Sequence, residues 1–207
     1  MGYLEPAGKI LTILDDVIKY SKELVTYLTP QYKEAAKGLR QITDIIYTDI
    51  SRLLQWQVKL QNMDFSKGDS KEKFREFKEN LEQFKNTPEY HAFRGDCHEM
   101  QALYHEYVRR DLKRLFVHDT DKMEKADRVF EALGHTDDSM GGLAYFLFRQ
   151  AEDAVEKIDK DFQEAQNIRN RFKEEIKPIR QALDGQAQDL DELRITFQKL
   201  SEGRILG

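Results

Sequence analysis

The chain has 207 residues, 40% of them apolar and 34% charged, with 33 Lys or Arg against 38 Asp or Glu for a net charge of −5. That balance provides no general basic field to displace counterions from phosphates, so nucleic-acid binding is not expected. The single cysteine, Cys97, excludes an internal disulfide and a zinc knuckle, and the longest wholly apolar run, Leu143 to Phe148, falls far short of the ~20 residues that span a bilayer.

The first predicted helix runs from Pro6 to about Leu28. Ile10, Leu14, Val17, Leu24 and Leu28 form one stripe, widened by Leu11, Ile18 and Val25 into a face broad enough for two neighbours. Asp15 and Asp16 interrupt the segment, which does not read as a secretory leader, and Pro6 stands where a myristoylation motif on Gly2 needs Ser or Thr. Thr29-Pro30 reads as an N-cap and first-turn pair opening a second helix. Leu39, Ile42, Ile46, Leu53, Trp56 and Leu60 carry that helix to about Gln61, roughly 45 Å. Asp49 and Ile50 both fall on its apolar face, so the seam drifts there.

Asp64 to Ser70 is a polar turn around Gly68. A third helix follows with Phe74, Phe77, Leu81 and Phe84, and Thr87-Pro88 repeats the cap signature, either starting a new helix or kinking a continuing one. The next stripe is Phe93, Cys97, Met100, Tyr104, Val108, Leu112 and Leu115. It takes in Cys97, which predicts a buried, inert thiol. A shorter helix carries Met123, Ala126, Phe130 and Leu133, with Gly134 placed to end it. His135 to Gly142 is the least helical stretch. Leu143 to Leu183 then reads as one helix of roughly 60 Å, with Ala151, Ala154, Ile158, Phe162, Ala165, Ile168, Phe172, Ile176 and Ile179 on its stripe. Phe162 and Phe172 are expected in the core. Pro178 is expected to kink the helix or end it near Ile176, and Gly185 to break it before Leu190, Leu193, Phe197 and Leu200. A stripe this long must be covered by other helices. The predicted fold is all-α: an elongated multi-helix bundle of long antiparallel amphipathic helices, forming one domain over 1–207. The 12 Phe and 9 Tyr read as packing between helices.

Candidate chemistry gathers around the histidines. His91, His98 and His105 are spaced by seven, which is about 10.5 Å along a helix and too far for one ion with ~2 Å bonds. No two histidines are four apart, and none follows a glutamate by three as in carboxylate-bridged di-iron bundles. No metal and no cofactor are expected. Adjacent Cys97 and His98 point about 100° apart on a helix, a poor geometry for a thiolate–imidazole pair. Gly141-Gly142 precedes a helix but lacks the Lys and Ser/Thr of a phosphate loop, so it reads as a hinge or tight turn.

Phe116-Val117-His118-Asp119 resembles the H…HD…D signature of HD-type phosphohydrolases, an all-helical, metal-dependent family. The resemblance covers His118 and Asp119 and implies a metal held by them, with His91 or His98 as the earlier histidine and Asp159 or Asp161 as the distant aspartate. Arg128 and His135 resemble the Arg-to-His pattern of helical HEPN ribonucleases.

The densest basic cluster is Arg109, Arg110, Lys113 and Arg114, with Asp111 among them. Arg110, Lys113 and Arg114 share a helix face suited to lipid headgroups, phosphate or an acidic partner. Near a helix C-terminus the same charges also complement the macrodipole. The expected function is a non-enzymatic interaction module (scaffold, adaptor or self-assembling protein) in the cytoplasm, with Arg110, Lys113 and Arg114 as its anion or partner contacts. Self-association is expected through the second stripe of the first helix or the face around Trp56 and Leu60. The alternatives are a membrane-associated bundle, BAR-like or membrane-perturbing, and an HD-like metal-dependent phosphohydrolase.

Overall fold

Three- and four-residue spacing becomes helix almost throughout. The computed structural model describes residues 4–135 and 140–204. It is 88% helical, with no strand among the described residues. The helices are α1 (Leu4–Val25), α2 (Lys33–Gln61), α3 (Ser70–Phe84), α4 (Pro88–Leu103), α5 (Arg109–Leu115), α6 (Thr120–Glu131), α7 (Met140–Lys160) and α8 (Ala165–Ser201). A π turn, Tyr104–Val108, joins α4 to α5 without interruption.

The bundle is built on the antiparallel pair α2 and α8, the most extensive helix–helix interface. Arg194 pairs with Asp44 near one end, and Arg180 donates to the Gln61 side chain at 2.7 Å near the other. Along α2 the residues Leu39, Ile42 and Ile46 are wholly buried, each side chain worth roughly 1.5–3 kcal/mol by removal from water. α1 lies along α8, tied by Lys22–Asp189 at 2.7 Å and by the Gln186 amide, which donates to the Leu11 carbonyl and to Asp15. The α4–α5 rod runs antiparallel to α2, and α3 runs antiparallel to α7 through Lys78–Asp159 at 2.7 Å and Lys85–Glu152. A large apolar cluster unites α1, α2, α4, α5, α6 and the facing halves of α7 and α8. A second gathers Trp56 and Leu60 with α3 and with the ends of α7 and α8 that meet at their turn.

The expected helix from Leu143 to Leu183 is two helices. Asp161 leaves helical geometry (φ −142°, ψ 85°), and its carboxylate accepts from the Gln163 and Glu164 amides. This is an N-cap that ends α7 and starts α8 through a short 3-10 turn. Phe162, expected in the core, sits in that turn partly buried, its ring against Phe65 and Phe74 at 5.7 and 5.8 Å. Phe172 is buried as expected. Conversely, α8 runs unbroken through Pro178 and Gly185. Both are exposed, so solvent can serve the Glu174 carbonyl that loses its helical partner to the proline. The helix stops instead at Gly203, whose φ of 77° favours glycine. There the Gly203 amide donates to the Leu200 carbonyl and the Arg204 amide to Lys199, the paired bonds of a Schellman end.

Both faces expected to self-associate are covered within the chain. On the second stripe of α1, Ile18 is buried and Leu11 and Val25 pack on the large cluster. Trp56 is covered by Phe77 and Phe84, with ring centroids 5.8 and 5.1 Å away.

Candidate partner-binding end

The basic cluster is positioned by what α5 buries. Leu112 and Asp111 turn inward. Asp111 accepts from the Ala35 amide at 3.2 Å, satisfying one of the donors that the first turn of α2 leaves without a helical partner. Arg110 and Arg114 flank the same carboxylate at 3.8 and 3.7 Å, with 55% and 71% of their side chains exposed. Lys113 is exposed between them. The structure therefore places Arg110, Lys113 and Arg114 together on the outer face of α5.

The π turn holds α5 in that position. A stripe of Met100, Tyr104, Val108 and Leu112 advances in steps of four, which drifts off one face of a 3.6-residue helix. The wider turn absorbs the drift, and all four residues are buried. Gly38 of α2 lets the turn approach: a side chain there would begin 2.8 Å from the Val108 methyl and 2.9 Å from the Tyr107 Cβ. Tyr104 stacks on Phe130 at 4.8 Å and donates its hydroxyl to Asp127 at 2.7 Å. Arg109 makes a two-pronged pair with the same carboxylate, both bonds 2.8 Å. Burial pushes the Asp127 carboxyl up, but the Arg109 and Tyr104 hydrogen bonds outweigh it and hold it below its ordinary range. Burial first, then the Asp127 bond, pushes the Tyr104 phenol far up. Arg109, the fourth cation of the cluster, is thus a strut locking α5 to α6 and not an outward contact.

Three segments meet at this end. The Tyr27 ring lies 5.5 Å from Phe116, and Lys122 sits over both rings. The Lys33 ammonium reaches Gly203, beside the last turn of α8. Segments 26–37, 107–122 and 199–204 together carry nine Lys or Arg against five Asp or Glu, a surplus of four positive charges in a chain of net −5. The remainder of the molecule is therefore at −9. At the tip, in the turn between α5 and α6, Val117 is 67% exposed.

Other candidates disperse. His118 is exposed, and Asp119 caps α6, accepting from the Lys122 amide at 3.2 Å and pairing with its ammonium at 3.1 Å. Those Lys122 bonds hold the Asp119 carboxyl low. Asp159 is paired with Lys78, and Asp161 caps α8 at the opposite end of the bundle. The residues of the phosphohydrolase-like set are thus not brought together. Among the described residues no three His, Cys, Asp or Glu stand close enough to hold a metal ion. His135 follows a 3-10 turn beyond α6, and the Arg128 Nε donates to the Glu124 carbonyl. Gly141 and Gly142 fall in the first turn of α7 rather than in a hinge, while residues 136–139 of the stretch expected to be least helical lie outside the described residues. Cys97 is buried.

Two features escaped the sequence reading. One is an acid pair, Asp49 and Asp96, of which the first is buried. Asp49 on α2 is wholly buried, and Arg52 bonds both Asp49 at 3.2 Å and Asp96 of α4 at 2.8 Å. Burial, then the neighbouring Asp96, pushes the Asp49 carboxyl up to about 8. The other is a groove of about 580 Å³ between α7 and α8, lined by Phe146, Phe172 and Ile176 and edged by Asp153, Lys157 and Arg171.

No family model, no curated protein and no solved structure matches this chain.

Proposed function

We propose that the chain is a non-enzymatic helical-bundle interaction module, an adaptor or scaffold, that engages an acidic partner through the end where α1, α2, α5 and α8 meet. Arg110, Lys113 and Arg114 are its central contacts. The observation that carries the reading is the separation of charge: a positive end on a molecule otherwise strongly negative. Such a field steers an acidic surface to one end and turns it away from the rest. The burial of both candidate self-association faces supports the same reading, because neither stripe is left open for a second copy. Cytoplasmic residence belongs to the proposal as well, since one buried thiol asks for no oxidising compartment.

Titration of the protein with polyglutamate tests it. Binding is expected at low salt, weakening as salt rises, with at least a tenfold loss in the triple variant Arg110→Gln, Lys113→Gln, Arg114→Gln. Affinity unchanged by the triple variant would remove this end from the function.

A further inference from the structure

We propose that the acidic partner is an anionic phospholipid bilayer, met end-on by the basic end of the bundle; this rests on the reading of that end as the working surface. The first argument is distance. α8 has 37 residues, so the bundle extends roughly 55 Å away from this end. Exposed charges are screened within about 8 Å at physiological ionic strength. A plane touched end-on therefore meets the net positive charge of this end, three once Arg109 is counted with its partner Asp127 (nine cations against six acids), and little of the acidic remainder. A polyanion lying along the bundle, as a nucleic-acid duplex would, meets both.

The second argument is the apolar tip. Val117 is 67% exposed and Tyr27 36%, beside the buried ring of Phe116. Lys113, Arg114 and Lys122 surround this tip within a few residues of sequence or by direct contact with the rings. An apolar point inside a basic collar matches the boundary between acyl chains and headgroup phosphates. An acidic polypeptide would engage the collar and leave Val117 in water. Lys33 and Lys113 make no ion pair among the described residues, so their ammonium groups are available to headgroups. No helix of the described structure is long and apolar enough to cross a membrane, so the contact proposed is peripheral.

Co-sedimentation with vesicles tests this, using phosphatidylcholine alone and phosphatidylcholine with phosphatidylserine, with polyglutamate and a DNA duplex titrated in parallel. Of the two vesicle types, only those containing phosphatidylserine are expected to bind the protein, and more tightly than the duplex does. Lys33→Gln with Lys113→Gln should weaken vesicle binding about 25-fold, at about fivefold for each cation near the surface. Val117→Ser should weaken vesicle binding several-fold and leave polyglutamate affinity unchanged. All three positions are exposed, and circular dichroism checks that each variant keeps its helix content. Polyglutamate binding without vesicle binding, tighter binding to the duplex than to vesicles, or a Val117→Ser variant indistinguishable from the parent would overturn the lipid assignment and leave the acidic-partner reading standing. Binding to none of the probes would overturn both.

Discussion

Asp49 sits with no exposed surface on the seam of α2, and only one of its carboxylate oxygens has a partner. Its raised pKa, about 8, means that the folded protein holds a proton there which the unfolded chain releases at an ordinary carboxylate value. Between roughly pH 4 and pH 8 the native state binds more protons than the unfolded one, so the contribution of Asp49 to stability is complete in acid and is lost as pH rises through 8. Asp49→Asn keeps the shape and stays neutral. It is expected to flatten the fall in stability toward pH 8, leaving the variant more stable there by on the order of 2 kcal/mol in urea melts across that range. Asp127 behaves oppositely. Its carboxyl is held low by Arg109 and Tyr104, so its contribution is present above the ordinary carboxylate range and is lost as pH falls. Asp127→Asn leaves a part-buried guanidinium with a weaker partner and should cost about 2–3 kcal/mol at neutral pH, with the deficit shrinking in acid.

Among the elements, the two glycines of the longest helices make a controlled comparison. Gly38 faces the π turn so closely that a methyl would press on Val108 and on the Tyr107 Cβ, which cannot swing away. Overpacking exceeds the helix-propensity gain, and Gly38→Ala should lower stability by about 1–2 kcal/mol. Gly185 has no atom within 4 Å of the same position, so Gly185→Ala should raise the melting temperature, in line with about 0.5–1 kcal/mol. Thermal melts of the two variants should move in opposite directions. The same pair shows what the sequence reveals. Apolar spacing located the helical stretches but ran α7 and α8 together, and of the two outcomes open to Thr87-Pro88, a new helix or a kink, it opens α4, with the Thr87 hydroxyl accepting from the Tyr90 amide. Breaker residues misled, because Pro178 and Gly185 lie on a solvated face where an interruption is tolerated. Thr29-Pro30 starts a 3-10 turn, and α2 begins only at Lys33. The break that does occur was signalled by Asp161 with Glu164 three residues on, a capping pattern hidden inside an unbroken apolar rhythm. The π turn was signalled by successive steps of four. The outward face of Arg110, Lys113 and Arg114 was legible because it depends on one helix alone. The Asp49–Arg52–Asp96 cluster was not, because its members meet only when α4 packs on α2.

For the whole molecule, the placement of α1 decides between core and contact surface. With Ile18 4% exposed, Ile18→Glu buries an unpaired charge and is expected to unfold the protein, seen as loss of helix signal and of a cooperative melt. A folded variant of unchanged stability would return the second stripe of α1 to the list of partner surfaces. The charge separation has a counterpart in orientation: a molecule positive at one end and negative over the rest approaches a charged plane pointing the same way each time.

The pairing of α2 with α8 also sets a clock. About a hundred residues separate the end of α2 from the start of α8, and at ribosomal rates of about 5–20 residues per second that is roughly 5–20 s of synthesis. Throughout it, the face of α2 that α8 will cover meets water or whatever else is in reach. A nascent chain stalled before Ala165 carries that uncovered stripe permanently. Such chains should be found with holdase chaperones or in aggregates, while chains truncated and released a few residues short of Ser201 have most of the α2 face covered.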